Sequence, residues 1–212
     1  MIRFDHVSKV FGEDTHALAD ITVDIPDGDF VFIIGPTGAG KSTLLRLITR
    51  EMIPTSGTVK IDDMDIGSLP SDKVHLLRRK VRMVFQDLKL LSDRTVFENI
   101  AVGMEVLGKT PEEVEKGVHD VLELVDLSDK ANYFPGQLSA GQSQRIAIAR
   151  AIVGGPAILL ADEPTGNLDP ETSEDILKIF EEVNKMGTTI IIVTHNASLV
   201  DAMEKRTITL KS

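Results

Sequence analysis

Residues 35–43 read GPTGAGKST, between the apolar run FVFII (residues 30–34) and the apolar stretch Leu44, Leu45, Leu47 and Ile48. The pattern G-x-x-x-x-G-K-[ST], closing a strand and opening a helix, is a phosphate-binding loop in its proper context. Gly35, Gly38 and Gly40, with Pro36, Thr37 and Ala39 between them, let backbone N–H groups curl around phosphate oxygens. The helix start adds its partial positive charge. Lys41 is placed to neutralise β and γ phosphates, Ser42 to ligate Mg²⁺ and Thr43 to bond near the α phosphate. The motif calls for a nucleoside triphosphate and an α/β core, leaving open which enzyme of this kind the chain is.

The remaining pattern agrees with a parallel sheet. Residues 157–162 and 189–193 are continuous apolar runs rich in branched residues, as expected of strands covered on both faces. After Asp169 and Pro170, which supply a cap and a first helical residue, Ile176, Ile179, Phe180 and Val183 recur at helical spacing, and Gly187 closes the helix. Thr110 and Glu113 stand at capping-box spacing, with Val114, Val118, Val121, Leu122 and Val125 forming an apolar face. The region from about 88 to 150 therefore reads as a helical insertion. Residues 2–7, 21–25 and 59–61, with a turn at Asp62 and Asp63, read as a smaller β layer. The expectation is one 212-residue unit, residues 1–87 and 156–212 forming the core with its β layer and 88–155 the helical part.

Composition removes other classes. The chain has no cysteine, which excludes a disulfide scaffold, thiol catalysis and thiolate metal ligation. Lys and Arg number 23 against 33 Asp and Glu, a formal charge of −10, so no overall basic field favours nucleic acid. No apolar run approaches the roughly 18 residues a membrane span needs. MIRFDH has no secretory pattern, so a cytoplasmic location is expected.

The run ILLADE (residues 158–163) ends in two carboxylates at the edge of the sheet where α/β folds hold ligands. Asp162 is placed to hold Mg²⁺, and Glu163 to orient and deprotonate the attacking water.

LSAGQSQRIAIARA (residues 138–151) resembles the signature sequence of ATP-binding cassette (ABC) ATPases, usually LSGGQ. The resemblance extends to Gln86 after the strand at 81–85, to NLD at 167–169, to His195 after the strand at 190–193, and to Phe11. It covers nearly the whole chain and implies the ABC ATPase fold: a P-loop NTPase core with a mostly parallel sheet, an N-terminal antiparallel β subdomain and an inserted α-helical subdomain. It implies ATP with Mg²⁺ bound in a homodimer, the phosphate loop of one copy facing Ser139, Ala140, Gly141 and Gln142 of the other. The start of a helix here is itself a second anion-binding terminus, placed by the sequence at residues 143–153. By the same resemblance Gln86 touches Mg²⁺ and the water, His195 the γ phosphate, Phe11 the adenine, and Asp169 joins the two sites. Ala140 departs from the usual second glycine. Relatives commonly continue beyond Ser212 with a glycine turn and another strand.

Residues 43–57, 76–108 and 162–170 are most similar to a cell-division subgroup of the family, whose members pair with the integral membrane protein FtsX and signal to cell-wall hydrolases. The last stretch is shared with lipoprotein-releasing and macrolide-export ATPases, the alternative reading. Either way the resemblance implies a place on the inner face of the cell membrane. Leu88, Leu90 and Leu91 around Lys89, followed by Val96, Phe97, Ile100 and Val102, suit either a docking groove for a partner helix or ordinary core packing.

Overall fold

The computed structural model describes residues 1–12 and 15–211 of the chain. Its first half contains β1 (Ile2–Phe11), β2 (Thr15–Ile25), β3 (Phe30–Ile34), α1 (Lys41–Ile48), β4 (Ser56–Ile61), β5 (Met64–Asp65), α2 (Val74–Lys80) and β6 (Val81–Val84). The second half contains α3 (Val96–Glu105), α4 (Pro111–Leu124), α5 (Ala140–Ile152), β7 (Ile158–Asp162), α6 (Pro170–Lys185), β8 (Thr189–Val193), α7 (Ala197–Met203) and β9 (Arg206–Thr209). Short 3₁₀ turns lie at Ser71–Lys73, Ser128–Lys130 and Pro135–Gln137.

Two sheets result. The larger is parallel, in the order β6-β7-β8-β3-β9, and the smaller is antiparallel, in the order β2-β1-β4-β5. Alternation along each central strand divides the interior. Val31, Ile33, Ile191 and Val193 face α1 and the antiparallel sheet, meeting Leu44, Leu47, Phe4 and Val59. Phe30, Phe32, Ile190 and Ile192 face the helices, meeting Ile146, Ile176, Phe180 and Val118. A strand buried on both faces has no solvent side to keep polar, which is why these runs are unbroken in apolar character.

The helices begin and end as their sequences require. Asp169 caps α6 by accepting the Thr172 N–H, Pro170 takes the first position, and Gly187 follows the helix at φ 98°. Thr110–Glu113 and Thr95–Glu98 both close reciprocal capping boxes, for α4 and α3.

Several boundaries differ from those the sequence suggests. Residues 85–95 form a loop, not the start of a helix. The buried Asn99 amide holds them there, donating to the carbonyls of Leu91, Arg94 and Thr95 while its oxygen accepts the Leu91 N–H. The helix expected at 143–153 spans Ala140–Ile152, because Ser139 and Gln142 cap it one turn earlier. The strand expected from 157 begins at Ile158, and that expected at 81–85 ends at Val84. The β layer is longer than its apolar cores, since β1 and β2 extend as a ribbon to the pair Phe11 and Thr15. Three elements carried no clear sequence signal: α2, α7 and the edge strand β9.

Candidate active site

Four adjacent strands, β6, β7, β8 and β3, end on the same edge of the parallel sheet. They deliver Gln86, the pair Asp162 and Glu163, His195, and the phosphate loop. Lys41, Ser42, Thr43, Thr37, Gly38 and Gly40 share one cleft of about 560 Å³ with Gln86, Asp162, Glu163, His195 and Phe11. The antiparallel sheet reaches the cleft through β1, whose last residue Phe11 exposes its ring under the ammonium of Lys9 at 5.4 Å.

The loop closes against the rest of the chain. Gly40 has φ 85°, and a Cβ there would lie 2.0 Å from the carbonyl oxygen of Ala17 on β2, so no other residue fits. Lys41 is 9% exposed and donates through Nζ to the carbonyls of Gly35, at 2.8 Å, and Pro36, at 3.0 Å. These bonds hold the ammonium across the loop's mouth. Within the loop Pro36 is exposed and Gly35 part-buried, while the Ala39 methyl packs in the core with Leu44.

Across from the loop, Ser42 donates through Oγ to Oδ1 of Asp162 at 3.2 Å. Burial pushes the Asp162 carboxyl above its ordinary value, partly offset by the Ser42 hydrogen bond, while the neighbouring Glu163 charge adds to the rise. Such a carboxylate beside a hydroxyl supplies the hard oxygen donors Mg²⁺ takes, and a cation would relieve its unfavourable charge. The described residues hold no cluster of three or more His, Cys, Asp or Glu side chains, so phosphate oxygens would complete the shell.

Glu163 follows β7 with φ 49°, a left-handed conformation that turns its side chain out of the strand's alternation. Its N–H donates to the Val193 carbonyl, fixing the turn to β8. Oε1 lies 2.7 Å from Nδ1 of His195, and Oε2 is buried without a hydrogen-bond partner. An orphaned carboxylate oxygen at the sheet edge is costly unless a ligand or water uses it.

The other candidate residues form a separate pocket. Ser139, Ala140, Gly141 and Gln142 line a concavity of about 490 Å³ with Arg145, Asn167 and Asp169. No lining residue is common to the two. Ser139 accepts the Gln142 N–H through Oγ, leaving its hydroxyl hydrogen free at the start of α5. Asp169 accepts from the Thr172 N–H at 2.9 Å and hydroxyl at 2.6 Å, and these bonds hold its carboxyl below the ordinary value. A Cβ on Gly141 would lie 2.7 Å from Cγ2 of Thr172, so this glycine lets α5 approach α6.

Arg150 escaped the reading of the sequence. From α5 it donates through Nη2 to the Leu88 carbonyl, at 2.6 Å, and through Nη1 to that of Lys89, at 2.9 Å. It thereby ties the helix of the second pocket to the loop carrying Gln86. A cation interrupting the apolar run IAIARAI was the available signal. The expected docking residues divide by burial. Val96 and Ile100 are core, Leu88, Leu90 and Phe97 lean on it, and only Leu91 and Val102 line a groove open to solvent.

Comparison with known proteins settles the family, since the ABC transporter profile matches residues 18–166. The chain belongs to the ABC transporter family. Over 211 residues it is 46% identical to the cell division ATP-binding protein FtsE of Bacillus subtilis, covering 100% of this chain and 92% of that one. FtsE of Mycobacterium tuberculosis is 48% identical over 99% of this chain and 92% of its own, and FtsE of Escherichia coli K12 45% over 99% and 95%. Among solved structures, the ATP-binding cassette MJ0796, a dimer in a post-hydrolysis state bound to ADP and Pi, is 37% identical. It superposes with a TM-score of 0.88 over 99% of this chain and 94% of that one. CbiO1 of Clostridium perfringens, part of the ABC transporter complex CbiONQ, is 30% identical, with a TM-score of 0.91 over 99% of this chain and 84% of that one. The chain has the ABC ATPase fold, binds ATP and hydrolyses it to ADP and phosphate. No helix among the described residues is long and apolar enough to cross a membrane.

Proposed function

We propose that two copies of this chain close head to tail on two ATP molecules and transmit that closure to an integral membrane partner resembling FtsX, regulating cell-wall hydrolysis in bacterial division. One observation carries the reading: the phosphate cleft and the Ser139–Gly141 pocket lie on one chain without a shared lining residue. Each is half a site. The dimeric state of MJ0796 supports joining them between copies, and the names of the FtsE relatives support the cell-division setting.

In this reading Phe11 stacks on adenine. Residues 35–40 wrap the phosphates, Lys41 leaves its two carbonyls for the β and γ phosphates, and Thr43 bonds near the α phosphate. Ser42, Asp162 and Gln86 would hold Mg²⁺, which when bound supplies positive charge against the phosphate oxygens. Glu163 takes the proton of the attacking water, and His195 both holds that carboxylate and contacts the γ phosphate. From the second copy, Ser139, Ala140 and Gly141 present the α5 terminus, braced by Gln142, and Asp169 crosses to the facing site. The γ phosphate thus bonds to both halves. Its departure removes the bridge, and the dimer opens.

The decisive experiment uses tagged Glu163→Gln protein in its native cell, with membranes solubilised in ATP or in ADP and co-purifying proteins identified. An ATP-dependent FtsX-like partner supports the proposal. A lipoprotein- or drug-exporting permease moves the function to transport, and absence of any membrane partner overturns it.

A further inference from the structure

At the start of α6 two hydrogen bonds join the same pair of residues. Thr172 donates through its N–H to Oδ1 of Asp169, at 2.9 Å, and through Oγ1 to Oδ2, at 2.6 Å. A helix cap needs only the first, because one carboxylate oxygen satisfies the free amide of the first turn. The hydroxyl bond satisfies no amide. It occupies the second oxygen and so fixes the plane of the carboxylate. Helices α3, α4 and α5 place the same groups the other way round, with the hydroxyl of Thr95, Thr110 or Ser139 at the cap and Glu98, Glu113 or Gln142 three residues on.

The other branch of Thr172 reaches a different helix. Its Cγ2 stands 2.7 Å from where a Cβ on Gly141 would lie, so the methyl fills the space that the glycine leaves on α5. Hydroxyl and methyl share one Cβ, and a β-branched side chain has few χ1 choices in a helix. The rotamer that puts the hydroxyl on Asp169 therefore puts the methyl on Gly141. All three residues line the concavity of the second half-site. One turn further along both helices, Arg145 reaches Asp175 through Nη2 at 3.4 Å, an independent tie between α5 and α6.

We infer that Thr172 is a positioning residue that couples Asp169 to the Ser139–Gly141 turn, so that both contacts offered to the second copy are presented at one fixed spacing. Turning the Asp169 carboxylate away breaks the hydroxyl bond and frees the rotamer that seats the methyl. A shift of Gly141 acts on Asp169 by the same route. The inference rests on the head-to-tail reading and adds the residue that makes the two contacts one unit.

The test uses the Glu163→Gln protein in Mg-ATP, with dimer affinity read by sedimentation velocity. Two substitutions divide the side chain: Thr172→Val keeps a methyl for Gly141 and removes the hydroxyl, whereas Thr172→Ser keeps the hydroxyl and removes the methyl. Circular dichroism and thermal melting establish that both fold, as expected while the amide cap and the Arg145 tie remain. Each should weaken the dimer by about fivefold or more, while ATP affinity at the chain's own phosphate loop, measured below the dimerising concentration, changes by less than about twofold. In an Asp169→Ala background Thr172→Val should add less than about twofold, since the hydroxyl has no carboxylate to hold. Dimers as tight as the parent's in either substitution overturn the inference and leave the head-to-tail arrangement standing. An undiminished effect of Thr172→Val in the Asp169→Ala background also overturns it, because the hydroxyl would then act without Asp169. A monomeric Glu163→Gln parent removes the arrangement and the inference together.

Discussion

Nδ1 of His195 lies 2.7 Å from Oε1 of Glu163, so two residues delivered by neighbouring strands, β8 and β7, meet at the sheet edge. The contact occupies one carboxylate oxygen and leaves Oε2 buried and unpartnered, pointing to that atom as the proton acceptor. Glu163→Gln preserves shape and removes the base. Its ATP turnover should fall by about 10²–10⁴-fold, the usual contribution of a positioned general base. ATP binding should persist, and Mg-ATP should shift the variant to a dimer on size-exclusion chromatography. A monomeric variant under saturating Mg-ATP would contradict the head-to-tail arrangement.

Lys41 should behave differently. Its ammonium bonds only to carbonyls of its own loop and forms no ion pair, and its charge is the last and smallest of the influences on the Asp162 carboxyl. Lys41→Ala therefore costs little in folding but removes the cation facing the triphosphate. Titration calorimetry should find ATP affinity lowered by at least tenfold with the melting temperature changed by a few degrees at most. A large loss of stability would mean that the two carbonyl bonds organise the loop.

Asp162 carries the pH dependence. Burial raises its carboxyl above the ordinary value in the folded chain, so the protonated form is favoured by folding. That contribution is complete below the unfolded pKa and disappears as pH rises through the folded one. As pH rises, ionisation of this partly buried carboxyl becomes a cost that an amide in its place does not carry. Asp162→Asn, which still accepts from Ser42, should raise the melting temperature near pH 7 by roughly 2–4 °C, equivalent to about 1 kcal/mol. The gain should vanish at pH values where wild type is protonated, and added Mg-ATP should stabilise wild type more than the variant. A constant difference across pH would remove the carboxyl from the explanation.

The legible parts of the fold were those whose physics is local. Phe30–Ile34, Ile158–Asp162 and Thr189–Val193 declare burial by unbroken apolar sequence, and Asp169–Pro170 and Thr110–Glu113 declare helix starts by capping chemistry. The phosphate loop was legible with its strand and helix. What stayed hidden depends on partners distant in sequence. β9 is an edge strand with one half-buried residue among four, and α2 has no side-chain cap and one fully buried residue, Leu77. Leu88 and Leu90 look helical because they are apolar, yet they reach the core from a loop pinned by Asn99. That Ser139 starts an anion-binding helix terminus is legible locally, but its pairing with the phosphate loop of another copy comes from resemblance, since the two pockets share no lining residue within one chain.

Arg150 should act through position. Its guanidinium satisfies two carbonyls of the 85–95 loop, one exposed and one part-buried, and Arg150→Ala removes that donor from both, a loss of about 0.5–1.5 kcal/mol per hydrogen bond. Released, the loop no longer holds Gln86 at the cleft. Turnover should drop several-fold while ATP affinity stays within about twofold, and Arg150→Lys, which reaches one carbonyl, should recover part of the rate. If affinity and turnover fell together, the loop would be serving nucleotide binding itself.

Asp169 joins a folding role to the proposed contact across the dimer, and the two can be separated. Bonds from the Thr172 hydroxyl and N–H hold its carboxyl below the ordinary value, so the ionised form stabilises the start of α6. That stabilisation is present above the unfolded pKa and is lost as pH falls through the folded one. Asp169→Asn keeps a capping oxygen but not the charge. Its melting temperature should lie slightly below wild type near pH 7 and converge with it in acid, whereas Asp169→Ala should melt lower than either at neutral pH. If Asp169 also bridges copies, the Asn variant should hydrolyse ATP more slowly and dimerise less in a Glu163→Gln background, despite its nearly intact fold. Dimerisation equal to the Glu163→Gln parent would confine Asp169 to the helix cap.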